Sequence, residues 1–422
     1  TLTAKDKICL CETRECTPEA CPYANGYYAR IKDALWDVLD VPCLTAETLQ
    51  EYAERHTVCP FELGLDSSLW SDVIIGDYNY LFDPVVHLVR FFESAGDYIF
   101  LVDEAHNLPG RAREMHSAAL TKTSFYEAKK LLGKGKSSLK NALTKVNDVF
   151  IEWRHRAEEE TAARDGRFGK TFFLKERSEE FDHLLNRLCE PLEAWLDDHR
   201  EPDETHTALL QLYFDVRAWL RVADTFDDHF VLQITASGSE VRAAQLCLDP
   251  SAFLADSFAL GRAAVLFSAT LAPASYYKYL CGVPEARAVA LRSPFPAGNQ
   301  GLFCIGNVST RYKDRDASLA IVAESLATMV RARCGNYLAF FPSYAYMEQA
   351  YAQFKEHCPE INCIKQENAM DEQQKAAFLA QFVPGPSQPL LGFAVMGGVF
   401  GEGVDLTGDR LIGVGIVGPG LP

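Results

Sequence analysis

The stretch YIFLVDEAHN, residues 98–107, decides the fold. Tyr98 to Val102 is an unbroken apolar run that stops at two acids, Asp103 and Glu104. A run this short is a strand length and reads as a buried strand rather than an amphipathic helix. Carboxylates at the carboxyl end of such a strand stand where open α/β sheets bind their ligands. The first acid can hold Mg²⁺, directly or through water. The second can orient and deprotonate an attacking water. A bare Asp-Glu pair would be two solvated acids at a strand end, but the strand before it and Ala105-His106 after it point to nucleotide hydrolysis.

The same pattern recurs along the chain. AAVLFSATL (263–271) is a second apolar run, leading into Ser268-Ala269-Thr270. Hydroxyls there can hydrogen-bond the acids or His106, although Ser and Thr also cap helices. The run VII in LWSDVIIGDYNYLFDP (69–84) suits a buried strand, and VLQITASG (231–238) with EVRAAQLCL (240–248) looks like a strand pair. From about residue 296 the strand-like runs NYLAFFPSY, INCIKQ, PLLGFAVM and RLIGVGIV alternate with helical segments 316–333, 343–357 and 371–382. Strand–helix alternation implies a parallel sheet. GGVFGEGVDLTG (397–408) follows one of these strands; its glycines let backbone approach a phosphate, and Glu402 and Asp405 add carboxylates.

Residues 110–230 differ. Leu184, Leu185, Leu188 and Leu192, and Leu209, Leu212, Val216 and Leu220, recur at helical steps, with a loop at Gly166 and Gly169, so a helical insertion is expected. Tyr27 to Leu39 is also helical, with Tyr28, Ile31, Leu35 and Val38 on one face.

At 422 residues the chain is too long for one core. Its 48% apolar and 23% charged residues are those of a globular protein, and no apolar run is long enough to span a membrane. The net charge of −17 argues against a surface coated in phosphate-binding groups but leaves room for a local basic channel. One candidate is 122–145, where Lys122, Lys129, Lys130, Lys134, Lys136, Lys140 and Lys145 face only Glu127; a solvated helix face is the plainer reading. Of thirteen cysteines, Cys189, Cys247, Cys281, Cys304, Cys334, Cys358 and Cys363 are scattered, as reduced core thiols of a cytoplasmic protein would be. Cys9, Cys11, Cys16 and Cys21 are clustered and read as metal ligands. The chain opens on Thr1-Leu2-Thr3 and stops at Gly418-Pro419-Gly420-Leu421-Pro422, which reads as a fragment cut at both ends.

DEAH, SAT, FFPS (340–343) and VFGEGVDL (399–406), in that order, resemble a superfamily 2 helicase. LTAKDKIC, CPFELGLDSSLWSDVIIGDYNYLFDP, LVDEAHNL, FSATLAP and GEGVDLTGDRLIGVGIVG narrow the resemblance to the XPD/DinG-type iron–sulfur DNA helicases. The resemblance implies two RecA-like α/β domains with parallel sheets, an iron–sulfur domain inserted before DEAH and a helical arch inserted between DEAH and SAT. The implied segments are an iron–sulfur domain at 1–65, RecA-like domain 1 at 66–109 and 233–295, the arch at 110–232, and RecA-like domain 2 at 296–422. It implies Cys9, Cys16, Cys21 and Cys59 as ligands of a [4Fe–4S] cluster, spaced Cys-x₆-Cys-x₄-Cys-x₃₇-Cys. Cys11 can replace Cys9, zinc is the chemical rival, and loss of the cluster is expected to disorder residues 1–60.

By the same resemblance ATP lies between the two RecA-like domains. Asp103 helps hold Mg²⁺, Glu104 activates water, and His106, Ser268 and Thr270 pass on the nucleotide state; Glu402, Gly403 and Asp405 meet nucleotide or strand. The partners are single-stranded and forked DNA and ATP, for a monomer moving 5′ to 3′ in DNA repair or replication. The family's phosphate loop G-x-x-x-x-G-K-[ST] does not occur in these residues, where Gly135-Lys136-Ser137 is only a decoy, nor does its final arginine motif. The chain alone is therefore expected not to hydrolyse ATP. Asp77 stands where relatives carry Asn before the tyrosine, which weakens a DNA contact there. The rival readings are a helicase-like nuclease or non-unwinding DNA-binding protein, and a zinc-containing nucleic-acid-binding module.

Overall fold

The computed structural model describes residues 1–135, 137–163, 170–201, 203–401 and 403–419. Lys136, Gly166, Gly169 and Glu402, invoked above, lie outside the described residues. The chain divides into two compact units, Thr1–Ala290 and Leu291–Pro422.

The first unit opens with four helices, α1 (Lys5–Ile8), α2 (Tyr27–Val38), α3 (Ala46–His56) and α4 (Pro60–Ser67). Their core is Ile8, Tyr27, Ala34, Val38, Leu49, Ala53, Val58 and Leu63. Tyr28 does not join it: it is 91% exposed, and the buried stripe of α2 runs from Tyr27 through Ala34 to Val38 instead. Thr45 caps α3, its hydroxyl accepting from the Thr48 N–H at 3.3 Å.

Two short helices, α5 (Asn79–Phe82) and α6 (Val89–Phe92), precede β1 (Ile99–Val102), and α7 (Leu108–Met115) follows it. The expected strand at Val73-Ile74-Ile75 is not formed. These residues are 74, 40 and 63% exposed, and a long-range backbone bond runs from the Leu2 N–H to the Ile75 carbonyl at 2.7 Å. Apolar, β-branched sequence becomes a strand only when a neighbour takes up its N–H and C=O groups.

The middle of the unit is a packed insertion. In chain order it holds β2 (Ala118–Thr121), α8 (Lys122–Leu131), α9 (Ser138–Ala163), β3 (Thr171–Leu174), α10 (Glu179–Asp198), α11 (Glu204–Thr225), β4 (Phe230–Ser237) and β5 (Glu240–Cys247). The strands form an antiparallel sheet in the order β2-β5-β4-β3. The segment is thus not purely helical. The β4–β5 hairpin shares its core with Phe150, Phe181, Leu185, Leu188 and Trp219 of the helices, which puts it with the insertion rather than with the parallel sheet expected from residue 233. Strict in–out alternation along β4 is what one covered face requires.

The chain then forms α12 (Ser251–Ala259), β6 (Ala263–Leu266) and α13 (Ala274–Leu280). β6 pairs in parallel with β1, Ile99 opposite Ala263 and Val102 opposite Leu266. The pair is not buried on both faces as the apolar runs implied. Val102 packs with Phe82, Leu108, Ala112, Leu254 and Phe258, whereas Ile99, Leu101 and Val265 are 65, 69 and 51% exposed. Among the described residues the covering helices lie on one face only.

The second unit holds α14 (Arg315–Ala332), β7 (Asn336–Phe341), α15 (Tyr344–His357), β8 (Asn362–Lys365), α16 (Glu372–Ala380), β9 (Leu390–Val395) and β10 (Gly413–Ile416). Its sheet, ordered β10-β7-β9-β8, is parallel throughout. β7 and β9 are central and almost wholly buried, which is why they read as continuous apolar runs. Both parallel sheets fit the RecA-like α/β class.

Candidate active site at the ends of two parallel strands

β1 and β6 run side by side and end level, so the residues after Val102 and Leu266 emerge together. Two backbone bonds extend the ladder past the strands: Phe267 N–H to the Val102 carbonyl at 3.0 Å, and Ala105 N–H to the Phe267 carbonyl at 3.1 Å. Ala105 is fully buried. Between these anchors the chain turns sharply: Glu104 has φ 45°, in the left-handed region. Asp103 helps hold the turn, its Oδ1 accepting from the Glu104 N–H at 2.7 Å.

The side chains converge on one hydroxyl. Ser268 Oγ donates to Glu104 Oε2 at 3.3 Å, and His106 Nδ1 lies 2.9 Å from the same Oγ and 3.2 Å from Glu104 Oε2. Having given its single proton to the carboxylate, Ser268 accepts from His106, which puts a proton on Nδ1. Thr270 completes the turn, its N–H donating to Ser268 Oγ at 3.2 Å and its own Oγ1 lying 3.4 Å away. The acids remain exposed, while His106 is half-buried behind them. Among the described residues Asp103 Oδ2 and Glu104 Oε1 accept no hydrogen bond, leaving one carboxylate oxygen on each open. That donor set fits a hard, oxygen-seeking cation such as Mg²⁺ and a water molecule.

Tyr78 is a member of this site that the sequence reading passed over. Its hydroxyl donates to the carbonyls of Asp103 and Glu104, the latter at 3.0 Å. Burial, and then the carboxylates of Asp103, Glu104 and Asp77, hold its phenol above the ordinary range. The only signal was an aromatic with a polar tip inside GDYNYLF. Asp77 is spent locally, accepting from the Asn79 N–H at 3.0 Å.

In the second unit, Gly398 sits where a Cβ would meet Gln366 Nε2 at 2.9 Å. Gln366 is buried, accepts from the Val395 N–H at 3.0 Å and donates to the Tyr344 hydroxyl at 2.7 Å, which ties the end of β9 to the start of α15. Gly403 has φ 71° and open space around it; Asp405 is exposed, and its carbonyl accepts from Arg410 at 3.3 Å.

The cysteines are only partly gathered. Cys11 Sγ lies 3.9 Å from Cys21 Sγ, and burial followed by that contact pushes the Cys11 thiol up to about 11. Cys16 is exposed, and Cys59, half-buried, precedes α4. Among the described residues no group of three or more His, Cys, Asp or Glu side chains is placed to hold a metal ion. The thiols have the right donor chemistry for a metal centre, and Cys11 stands in contact with Cys21 and also interacts with Cys9.

Residues 326–422 match the family described as helicase C-terminal domain, and residues 1–125 match DEAD_2. The ATP-dependent DNA helicase CHL1 of Coccidioides immitis is 22% identical over 430 residues, covering 89% of this chain and 49% of that protein. The general transcription and DNA repair factor IIH helicase subunit XPD of Schizosaccharomyces pombe is 23% identical over 383 residues, covering 74% and 49%. The XPD/RAD3 subunit of Saccharomyces cerevisiae is 22% identical, covering 82% and 53%. The chain thus spans about half the length of these curated relatives. The solved structure of S. tokodaii Xpd4 is 15% identical with a TM-score of 0.46, covering 83% of this chain and 70% of that one.

Proposed function

The chain belongs to the XPD/DinG-type superfamily 2 helicases, and we propose that it works as part of an ATP-dependent DNA helicase that moves on single-stranded DNA and unwinds forked duplexes. The observation that carries this reading is the contact of Glu104, Ser268 and His106 at the ends of two parallel strands. Asp103, with an open oxygen, would hold Mg²⁺, which when bound would offset the phosphate charge. Glu104 orients and deprotonates the attacking water, and a protonated carboxyl would pass on to Ser268 and His106 as a changed hydrogen-bond pattern. Thr270 keeps Ser268 aimed at both. Glu402, Gly403 and Asp405 contact nucleotide or strand. The direction is 5′ to 3′, the working form is a monomer, and the setting is DNA repair or replication in the cytoplasm. These residues alone do not turn over ATP.

Cys16, Cys21 and Cys59, with Cys9 or in its place Cys11, would hold a [4Fe–4S] cluster, which when bound would tie the loop 9–26 to the start of α4. Cys59→Ser is expected to abolish iron binding in anaerobically purified protein; a colourless, zinc-loaded wild type refutes the cluster. Because α2, α3 and α4 have their own apolar core, its loss should loosen the loop 9–26 rather than all of residues 1–60.

The decisive experiment is strand displacement by the full-length protein with and without ATP, beside Glu104→Gln. Loss of at least about 100-fold in ATP turnover, with DNA binding kept, is the expected result. Unwinding that survives the substitution, or strand cleavage in place of unwinding, would refute the assignment.

A further inference from the structure

The basic stretch of the insertion takes no part in the chemistry at the strand ends. Lys122, Lys129, Lys130, Lys134, Lys140 and Lys145 share 122–145 with one acid, Glu127, in a chain of net charge −17. None of them forms an ion pair with another described residue. Lys122 and Lys140 are held by backbone carbonyls, of Ser239 at 3.1 Å and of Gly133 at 2.6 Å. A merely solvated face usually mixes its signs, because like charges at helical spacing repel.

Beside this stretch α9 and α10 leave an open groove of about 480 Å³. Ser138, Asn141 and Lys145 line one wall at helical steps, and Leu184, Arg187 and Pro191 line the other. The backs of both helices are spent on the core through Leu139, Leu143, Leu185 and Leu188, so these faces are free. The groove therefore offers a cation on each wall; Glu190 is the one acid along it. From residue 184 to residue 194 of α10 it runs about 15 Å.

We propose that this groove is a second nucleic-acid contact, in which Lys145 and Arg187 take phosphates of a single strand. The inference rests on the helicase reading. A phosphate backbone matches paired cations along an open channel. An acidic peptide would need apolar anchors, and the lining has no aromatic pocket to seat them.

The test is fluorescence anisotropy of a labelled oligothymidylate with the 422-residue chain across a salt series, comparing wild type, Lys145→Gln/Arg187→Gln and Lys145→Glu/Arg187→Glu. Circular dichroism verifies that each variant is folded, and the neutral pair serves if charge reversal prevents folding. The expected result is at least about tenfold weaker binding, with the slope of log affinity against log salt shallower by about 1.4, two single-strand phosphates' worth. Wild-type binding with an unchanged affinity and slope in the variants overturns the groove and leaves the helicase reading standing. An acidic peptide whose binding is lost in the variants while the oligonucleotide's is kept overturns it in favour of a protein contact. A wild type that binds no oligonucleotide at any salt also overturns the groove; the helicase reading is decided separately, by strand displacement with the full-length protein.

Discussion

Two sheets in the first unit make opposite use of their residues. The insertion's antiparallel sheet is covered by long helices and buries Phe172, Phe181 and Trp219 completely, yet none of the sequence motifs falls on it. The β1–β6 pair is four residues long in each strand, lies open on one face, and carries all the candidate catalytic residues of its unit. Chemistry thus sits where packing is thinnest, at strand ends whose side chains point away from any core. Stability sits in the insertion, where apolar area is largest.

Substitutions can break this division. Trp219→Ala should have the largest effect. It empties a fully buried site and removes the indole N–H that donates to Asp182 at 2.8 Å, leaving a buried carboxyl without that donor. A loss of about 4 kcal/mol in urea unfolding of the insertion is expected. An equal loss of signal from the β1–β6 region would mean that the two sheets unfold as one.

Tyr78→Phe should cost about 1 kcal/mol, the worth of a hydroxyl bonded to two carbonyls, and loosen the turn at Asp103–Glu104. Amide exchange confined to residues 103–106 would show it.

Asp182→Asn should be mildly stabilising at neutral pH. Burial outweighs the Trp219 bond and Arg177 and raises the Asp182 carboxyl above its ordinary 3.8. A carboxyl raised on folding destabilises the native state once pH climbs from the unfolded value through the folded one, and the penalty is full above both. The gain from Asn should therefore shrink as pH falls back through that window; a gain that stays constant into acid would contradict the burial argument.

Val265→Thr should change stability least, within about 0.5 kcal/mol, since the side chain is half open to solvent. A loss several times larger in the denaturation midpoint would mean that this face is covered.

The elements of the second unit were legible because the central strands β7 and β9 are covered on both faces and the helices between them keep their own period. In the first unit the same logic misread Val73-Ile74-Ile75 and the open side of β1 and β6, since an apolar run records a preference for burial and says nothing of whether a neighbour is there to bury it. At the site, Asp103, Glu104, His106, Ser268 and Thr270 could be named from strand-end position. Tyr78 could not, because its contribution is a hydroxyl delivered to backbone carbonyls from a segment 25 residues upstream of Asp103.

The left-handed backbone of Glu104 has one more consequence. Glycine adopts that conformation freely, and a side chain there costs about 1 kcal/mol or more. A chain selected only for durability would place glycine at 104. By that reasoning Glu104→Gly should melt later than the parent while losing the carboxylate that meets Ser268 and His106, so the heat resistance this turn forgoes is a thermometer for how much its chemistry is worth.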